Sequence, residues 1–374
     1  MFKFTKEQVL SRSMAWEFAE TELADMTLEF DKKGEFPRDI VEKLGEVGII
    51  GLTAPTKYGG TAAGQLAGVI AVEELARVCP SIALFLEVTQ TPIYALNNHG
   101  SEEQKKKFLC PVIKGEKIIC IAATEPAGGS ALANLETEAV SDDEGYIVNG
   151  KKFFITNGGV SDFCAVLAKT GDRASILVVE KGMEGFVVDA RHVLTGFKAG
   201  DVSNLSFHNC RLPKQNMIGE EGAGLEFAVS IFTANRPAVG AVGLGIARGA
   251  FEIALKYAKE RVLYGSPISN LQAIRFMLVD MDTEIESAKW LIYYPAAALD
   301  SGLTPKEISK YSARAKVVGA EVAFSVTHKA MQILGGCGVN PEYRLAGLIN
   351  DAMVLFPATG TTQVMKVIQA NEII

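Results

Sequence analysis

The sequence predicts an α+β chain in which a helical domain (1–118) is followed by a β domain (119–221) and a helical bundle (222–374). Three observations lead there. Apolar residues at Ile40, Leu44 and Val47 have helical spacing. Beyond residue 118 the apolar runs become short and rich in branched and aromatic residues. From about Gly222 the pattern turns helical again, with tracts that are apolar all round, as in buried bundle helices.

Each segment has its own signals. In the first, 73–78 continues an apolar helix from Leu66, and Gly59, Gly60 and Gly100 act as punctuation. The run SEEQKKKFL opens on Ser101 with Gln104 three positions later, a capping box at a helix start. In the second, the runs 118–123, 146–148, 163–168, 175–179, 185–188 and 204–207 read as strands of an antiparallel barrel or sandwich. Asn149-Gly150 is its expected hairpin turn. In the third, the Ala/Gly/Val-rich stretches 225–259 and 317–334 let helices approach closely, as in a four-helix bundle.

Composition narrows the function. Apolar residues make up 48% of the 374 positions and charged residues 22%, enough for a large core. Lys+Arg total 37 against 44 Asp+Glu, a formal charge of −7, so the broad positive field needed for nucleic acid is missing. The six cysteines stand apart without a CxxC pair, and the four histidines lack metal-ligand spacing. Neither a disulfide framework nor a metal is expected. The start, MFKFTKEQVLSRSMAWEF, is amphipathic with acidic residues, unlike a signal or transit peptide. No apolar run approaches the roughly 18 residues of a membrane span. The expected location is the cytoplasm.

One motif suits a phosphorylated or carbonyl-bearing ligand. Gly128-Gly129-Ser130 offers backbone N–H groups without side-chain bulk, beside a hydroxyl. Thr124 and Thr156 are expected on strands.

Together, CIAATEPAGGS (120–130), GKKFFITNGG (150–159), ERVLYGSPISNLQ (260–272) and QILGGCGVNPEYRL (332–345) resemble, in order and separation, the acyl-CoA dehydrogenase family of flavoproteins. The resemblance implies FAD, an acyl-CoA substrate, an electron-transferring flavoprotein as acceptor, and a homotetramer built as a dimer of dimers. It places Thr124, Ser130, Phe154 (where the family usually has Trp) and Thr156 at the flavin. Arg261, Gln272, Gln332, Gly335 and Gly336 fall at the diphosphate and adenosine side, with Thr361 and Gln363 in the closing motif. Ser130 also faces the thioester, and Asn235-Arg236-Pro237 reads as a helix start with Arg236 near the nucleotide part of CoA.

One departure bears on mechanism. Most of the family places its catalytic Glu 27 positions after the Gln of the Gly-rich turn, and here that residue is Thr359. A minority places it before the Arg of the 235 helix, and here that residue is Asn235. A hydroxyl is too weak a base for an α-proton, although the Thr359 backbone N–H can still polarise a thioester. The run 80–92 resembles the helix walling the acyl cavity; Glu87 is its only charge and the candidate replacement base. Phe85 and Thr91 would line the pocket, and Phe85 with Tyr94 makes it compact. A small anaerobic, bacterial branch acting on cyclohexene-type CoA thioesters lacks the usual Glu in this way. There a base further down the pocket takes a γ-proton in a 1,4-elimination. The other readings are a short- or branched-chain dehydrogenase with another base, a desulfinating lyase, and a non-catalytic flavin or CoA scaffold. The lyase would need an Arg in the cavity helix, and 80–95 has none.

Overall fold

The computed structural model describes residues 3–374; the first two residues of the amphipathic start and of the 1–118 domain lie outside the description. The helical part contains α1 (Lys6–Phe18), α2 (Thr27–Lys33), α3 (Arg38–Glu46), α4 (Gln65–Val78), α5 (Pro80–His99), α6 (Glu102–Gln104) and α7 (Cys110–Ile113). The Ser101 capping box forms, and Gln104 also donates from Nε2 to the carbonyls of Gln215 and Met217, tying this helix start to the β domain.

Eight strands follow: β1 (Ile119–Ala122), β2 (Glu138–Ser141), β3 (Gly145–Thr156), β4 (Phe163–Thr170), β5 (Arg173–Glu180), β6 (Phe186–Arg191), β7 (Val202–Pro213) and β8 (Met217–Ile218). They form a sheet in the order β6-β7-β3-β2-β4-β5-β8, with β1 beside β4. The expected antiparallel barrel or sandwich is corrected: the sheet is mixed and does not close. β1 arrives from the helices and leaves by a long loop, and so lies parallel to β4, since a tight turn joins only antiparallel neighbours.

The expected hairpin at Asn149-Gly150 is also corrected. Both residues lie inside β3, where the register against β7 slips and Gly150 takes φ +145°. A Cβ there would sit 2.6 Å from the Thr137 Cα, so glycine serves a bulge and a close approach. The actual turn is made by Asp142, whose Oδ1 accepts from the N–H groups of Glu144 and Gly145.

The last part comprises α8 (Gly224–Glu260), the short hairpin β9 (Val262–Leu263) and β10 (Ser266–Pro267), α9 (Gln272–Asp300), α10 (Pro305–Leu334), α11 (Leu345–Val354) and α12 (Thr362–Ala370). Three helices of the bundle are long, and α11 and α12 pack on α10. α8 and α10 touch backbone to backbone: a Cβ on Gly243 would lie 2.1 Å from the Gly319 carbonyl oxygen. By length and composition alone α8 could cross a membrane, its best 18-residue window having mean hydropathy 1.5. That window is 72% buried within the protein, which makes α8 a core helix.

The expected helix start at Asn235-Arg236-Pro237 is the interior of α8. Pro237 has no N–H for the Thr233 carbonyl one turn back. The Ser312 hydroxyl, on α10, donates to that carbonyl instead and lets the helix run on.

Candidate active site

Glu87 is 1% exposed on α5, a helix buried along most of its length. Its Oε1 accepts from Asn235 Nδ2 at 2.5 Å, and the same amide donates to the Glu87 carbonyl at 3.2 Å. Among the described residues Oε2 has no partner. Loss of water pushes the Glu87 carboxyl up to about 8, against the smaller opposing effect of the Asn235 bond. The two positions singled out separately in the sequence are therefore in contact.

The Thr359 turn lies between α11 and α12. Thr359 has φ +49° and Gly360 φ +86°. A β-branched residue in the left-handed region is strained and persists only where its surroundings over-determine it. The determinant here is the Phe356 carbonyl, which accepts from Thr362 N–H at 3.0 Å, Thr362 Oγ1 at 3.3 Å and Lys316 Nζ at 2.9 Å. Thr361 caps α12, its hydroxyl accepting from Val364 N–H at 3.2 Å, while Gln363 is exposed.

The loop at 123–137 joins β1 to β2. Its base is a buried ion pair that sequence reading missed: Lys152 Nζ lies 2.6 Å from Glu125 Oε1 and also donates to the carbonyls of Leu167 and Ala123. Glu125 in turn accepts from the N–H groups of Glu136 and Thr137. The one available signal was register, because Lys152 continues the inward, period-two positions of Tyr146 and Val148. Thr124 is corrected from a strand position to the loop just after β1, which ends at Ala122; its carbonyl accepts from Phe153 N–H at 2.9 Å. Thr156 does end β3. Among the described residues, the hydroxyls of Thr124, Ser130 and Thr156 make no hydrogen bond within the chain. Phe154 has φ +53° and is 55% exposed, stacked on His192 with centroids 4.2 Å apart. His192 shares Asn204 Oδ1 with the Phe154 N–H. His192 and Asn204 were also missed, since nothing local marks them.

Arg261, Gln272, Gln332, Gly335 and Gly336 are all exposed. Tyr257, one turn before Arg261, reaches Cys337 Sγ at 3.6 Å, so the end of α8 and the Gly-rich turn come together. A Cβ on Gly335 or Gly336 would meet nothing within 4 Å. Two substrate expectations fare differently. Arg236 is 7% exposed, donates to Thr233 Oγ1 at 3.1 Å and leaves Nε without a partner; an interior cation does not suit the outer, nucleotide part of CoA. Phe85 packs against Phe36 at 5.6 Å, on a different face of α5 from Glu87, whereas Thr91 is buried one turn beyond Glu87 on the same face.

These residues fit FAD. The free hydroxyls and an exposed aromatic beside the 123–137 loop suit a flat, polar-edged ring, and an exposed Arg beside open glycines suits a diphosphate.

Comparison with known proteins agrees. The family models for the acyl-CoA dehydrogenase N-terminal, middle and C-terminal domains match residues 5–116, 120–210 and 222–374. The chain belongs to the acyl-CoA dehydrogenase family and is a flavin-dependent oxidoreductase whose cofactor is FAD. It is 38% identical to the short-chain specific acyl-CoA dehydrogenase of Clostridium acetobutylicum, over 100% of this chain and 99% of that one. Cyclohex-1-ene-1-carbonyl-CoA dehydrogenase of Geobacter metallireducens is 35% identical over the full length of both. A chain in a solved structure from work on the electron transferring flavoprotein of Acidaminococcus fermentans superposes with TM-score 0.96 at 35% identity, covering 100% and 99%.

Proposed function

We propose that this acyl-CoA dehydrogenase acts on a compact acyl-CoA that is alicyclic or already unsaturated, with Glu87 as its base and cyclohex-1-ene-1-carboxyl-CoA as the model substrate. The observation that carries the reading is the buried Glu87 carboxyl, one oxygen held by Asn235 and the other unpartnered. Asn235 occupies one family base position and Thr359 the other, so Glu87 supplies the carboxylate that both lack. Its raised pKa suits a general base working near neutral pH.

In a conjugated thioester the γ-proton is acidified, and in a 1,4-elimination it passes to the Glu87 carboxylate. The Thr359 N–H polarises the thioester carbonyl, and Ser130 stands on the loop facing it. Thr124, Phe154 and Thr156 would hold the FAD ring. Arg261, Gln272, Gln332, Gly335 and Gly336 would hold its diphosphate and adenosine, with Thr361 and Gln363 shaping the closing turn. When bound, FAD supplies the hydride acceptor.

The likeness to the chain from the Acidaminococcus work supports an electron-transferring flavoprotein as acceptor. The exposed apolar hairpin around Tyr264, 96% exposed, supports a homotetramer in which neighbouring copies cover it. Full-length likeness to bacterial enzymes supports a cytoplasmic location. A second reading, a short- or branched-chain enzyme with another base, is favoured by the Clostridium relative.

Anaerobic flavin bleaching by a panel of straight-chain, branched and cyclic acyl-CoAs tests this. Bleaching by the cyclic enoyl thioester, with butyryl-CoA slow, is the expected result. Fast bleaching by butyryl-CoA and none by the cyclic thioester would assign the short-chain reading. No bleaching by any thioester, with FAD bound, would leave a scaffold.

A further inference from the structure

We propose that Lys316 and Arg236 form a buried, uncompensated cation pair that stabilises negative charge developing on the substrate thioester oxygen, with Lys316 also pinning the Thr359 turn. This rests on the reading of that turn as the thioester site.

The two side chains come from neighbouring helices at one level. Arg236 on α8 donates to Thr233 Oγ1, and the carbonyl of the same Thr233 accepts from Ser312, one turn before Lys316 on α10. Gly240 meets Ala315 further along, so α8 and α10 run in the same direction and Arg236 lies level with Ser312 to Lys316. Lys316 is 1% exposed, and its one hydrogen bond is to the Phe356 carbonyl. Among the described residues neither cation has a carboxylate partner, and burial, with a smaller contribution from the Arg236 charge, holds Lys316 down at about 8.

Among the described residues the other buried cations, and the partly buried Arg248, are neutralised. Lys152 meets Glu125 at 2.6 Å, Arg248 meets Glu73 at 2.6 Å, and Arg77 meets Glu252 at 2.9 Å. Burying a cation without a counter-ion costs stability, so Lys316 and Arg236 do not serve the fold by their charge. What that charge does is local. The ammonium pins the carbonyl at the root of the turn that carries Thr359 at φ +49°. In a water-poor interior it also places positive potential where electron density moves onto the thioester oxygen as a C–H proton leaves for Glu87.

The test uses the holoenzyme, with Lys316→Met and Arg236→Met. Both remove a buried charge, so Tm and FAD content should hold or rise. Turnover should fall by at least about tenfold with little change in KM, short of the 10²–10³ seen when a direct oxyanion donor is removed. A bound cinnamoyl-CoA, whose absorbance shifts to the red as its carbonyl is polarised, gives a readout independent of turnover, and its shift should shrink in both variants and recover in Lys316→Arg. If wild type itself produces no red shift, the reading of the turn as the thioester site fails. If wild type shifts the probe and both variants keep the full shift and turnover, the cation pair has no such role. A variant that loses Tm and FAD, or does not fold, would assign the pair to structure and overturn the inference.

Discussion

Asn235 Nδ2 donates to Glu87 Oε1 across the α5–α8 interface, joining residues 148 positions apart in the chain. A carboxyl sealed from water is costly to ionise, and the amide offsets part of that cost. The arrangement keeps a base near one family base position although both of those positions are occupied by neutral residues.

Glu87 must be ionised to accept a proton, so kcat/KM should rise with pH through about 8. Stability should move the opposite way. The folded pKa lies above the unfolded one, so the folded state holds a proton that the unfolded chain releases, and stability falls as pH rises from the ordinary carboxyl range to about 8. Thermal unfolding across pH 4.5–9 checks this, with Glu87→Gln expected to lack that part of the decline.

Breaking the Lys152–Glu125 pair should cost about 3–5 kcal/mol, because it leaves a buried charge alone. Lys152→Met should lower Tm and release FAD, since the 123–137 loop loses the ammonium that holds Glu125 and the Ala123 carbonyl. Adding Glu125→Gln should restore part of the loss; a single variant as stable as wild type would refute the anchoring role.

Gly243→Ala should destabilise by about 1–3 kcal/mol or more, since its methyl group would fall 2.1 Å from the Gly319 oxygen. Chemical denaturation with unchanged m-value would place the effect in the α8–α10 contact.

Thr359→Glu returns a carboxylate to the turn held by Lys316. It should add bleaching by a saturated acyl-CoA that wild type handles slowly. Unchanged rates on butyryl-CoA would mean that the cavity cannot present a saturated α-proton to this position.

The helix–strand–helix layout was legible because periodicity is local: the Ser101 box, the Leu66 helix and the strand at 163–168 all form. Asn149-Gly150 misled because a bulge and a turn ask for the same glycine. Pro237 misled because its helix break is repaired by Ser312 on another helix. Glu87 stood out as the only charge in an apolar helix, but its partner on α8 could not be read from α5. The burial of Arg236 and Lys316 was equally hidden, because helical periodicity says which face a residue occupies and not whether a carboxylate waits opposite.

The central claim, that Glu87 is the base, is tested most directly by single-turnover flavin reduction in Glu87→Gln with cyclohex-1-ene-1-carboxyl-CoA. Glutamine keeps the shape and an acceptor for Asn235, so FAD content and Tm should be preserved. The rate should fall by about 10²–10⁴-fold. A variant that reduces its flavin at the wild-type rate would contradict the account.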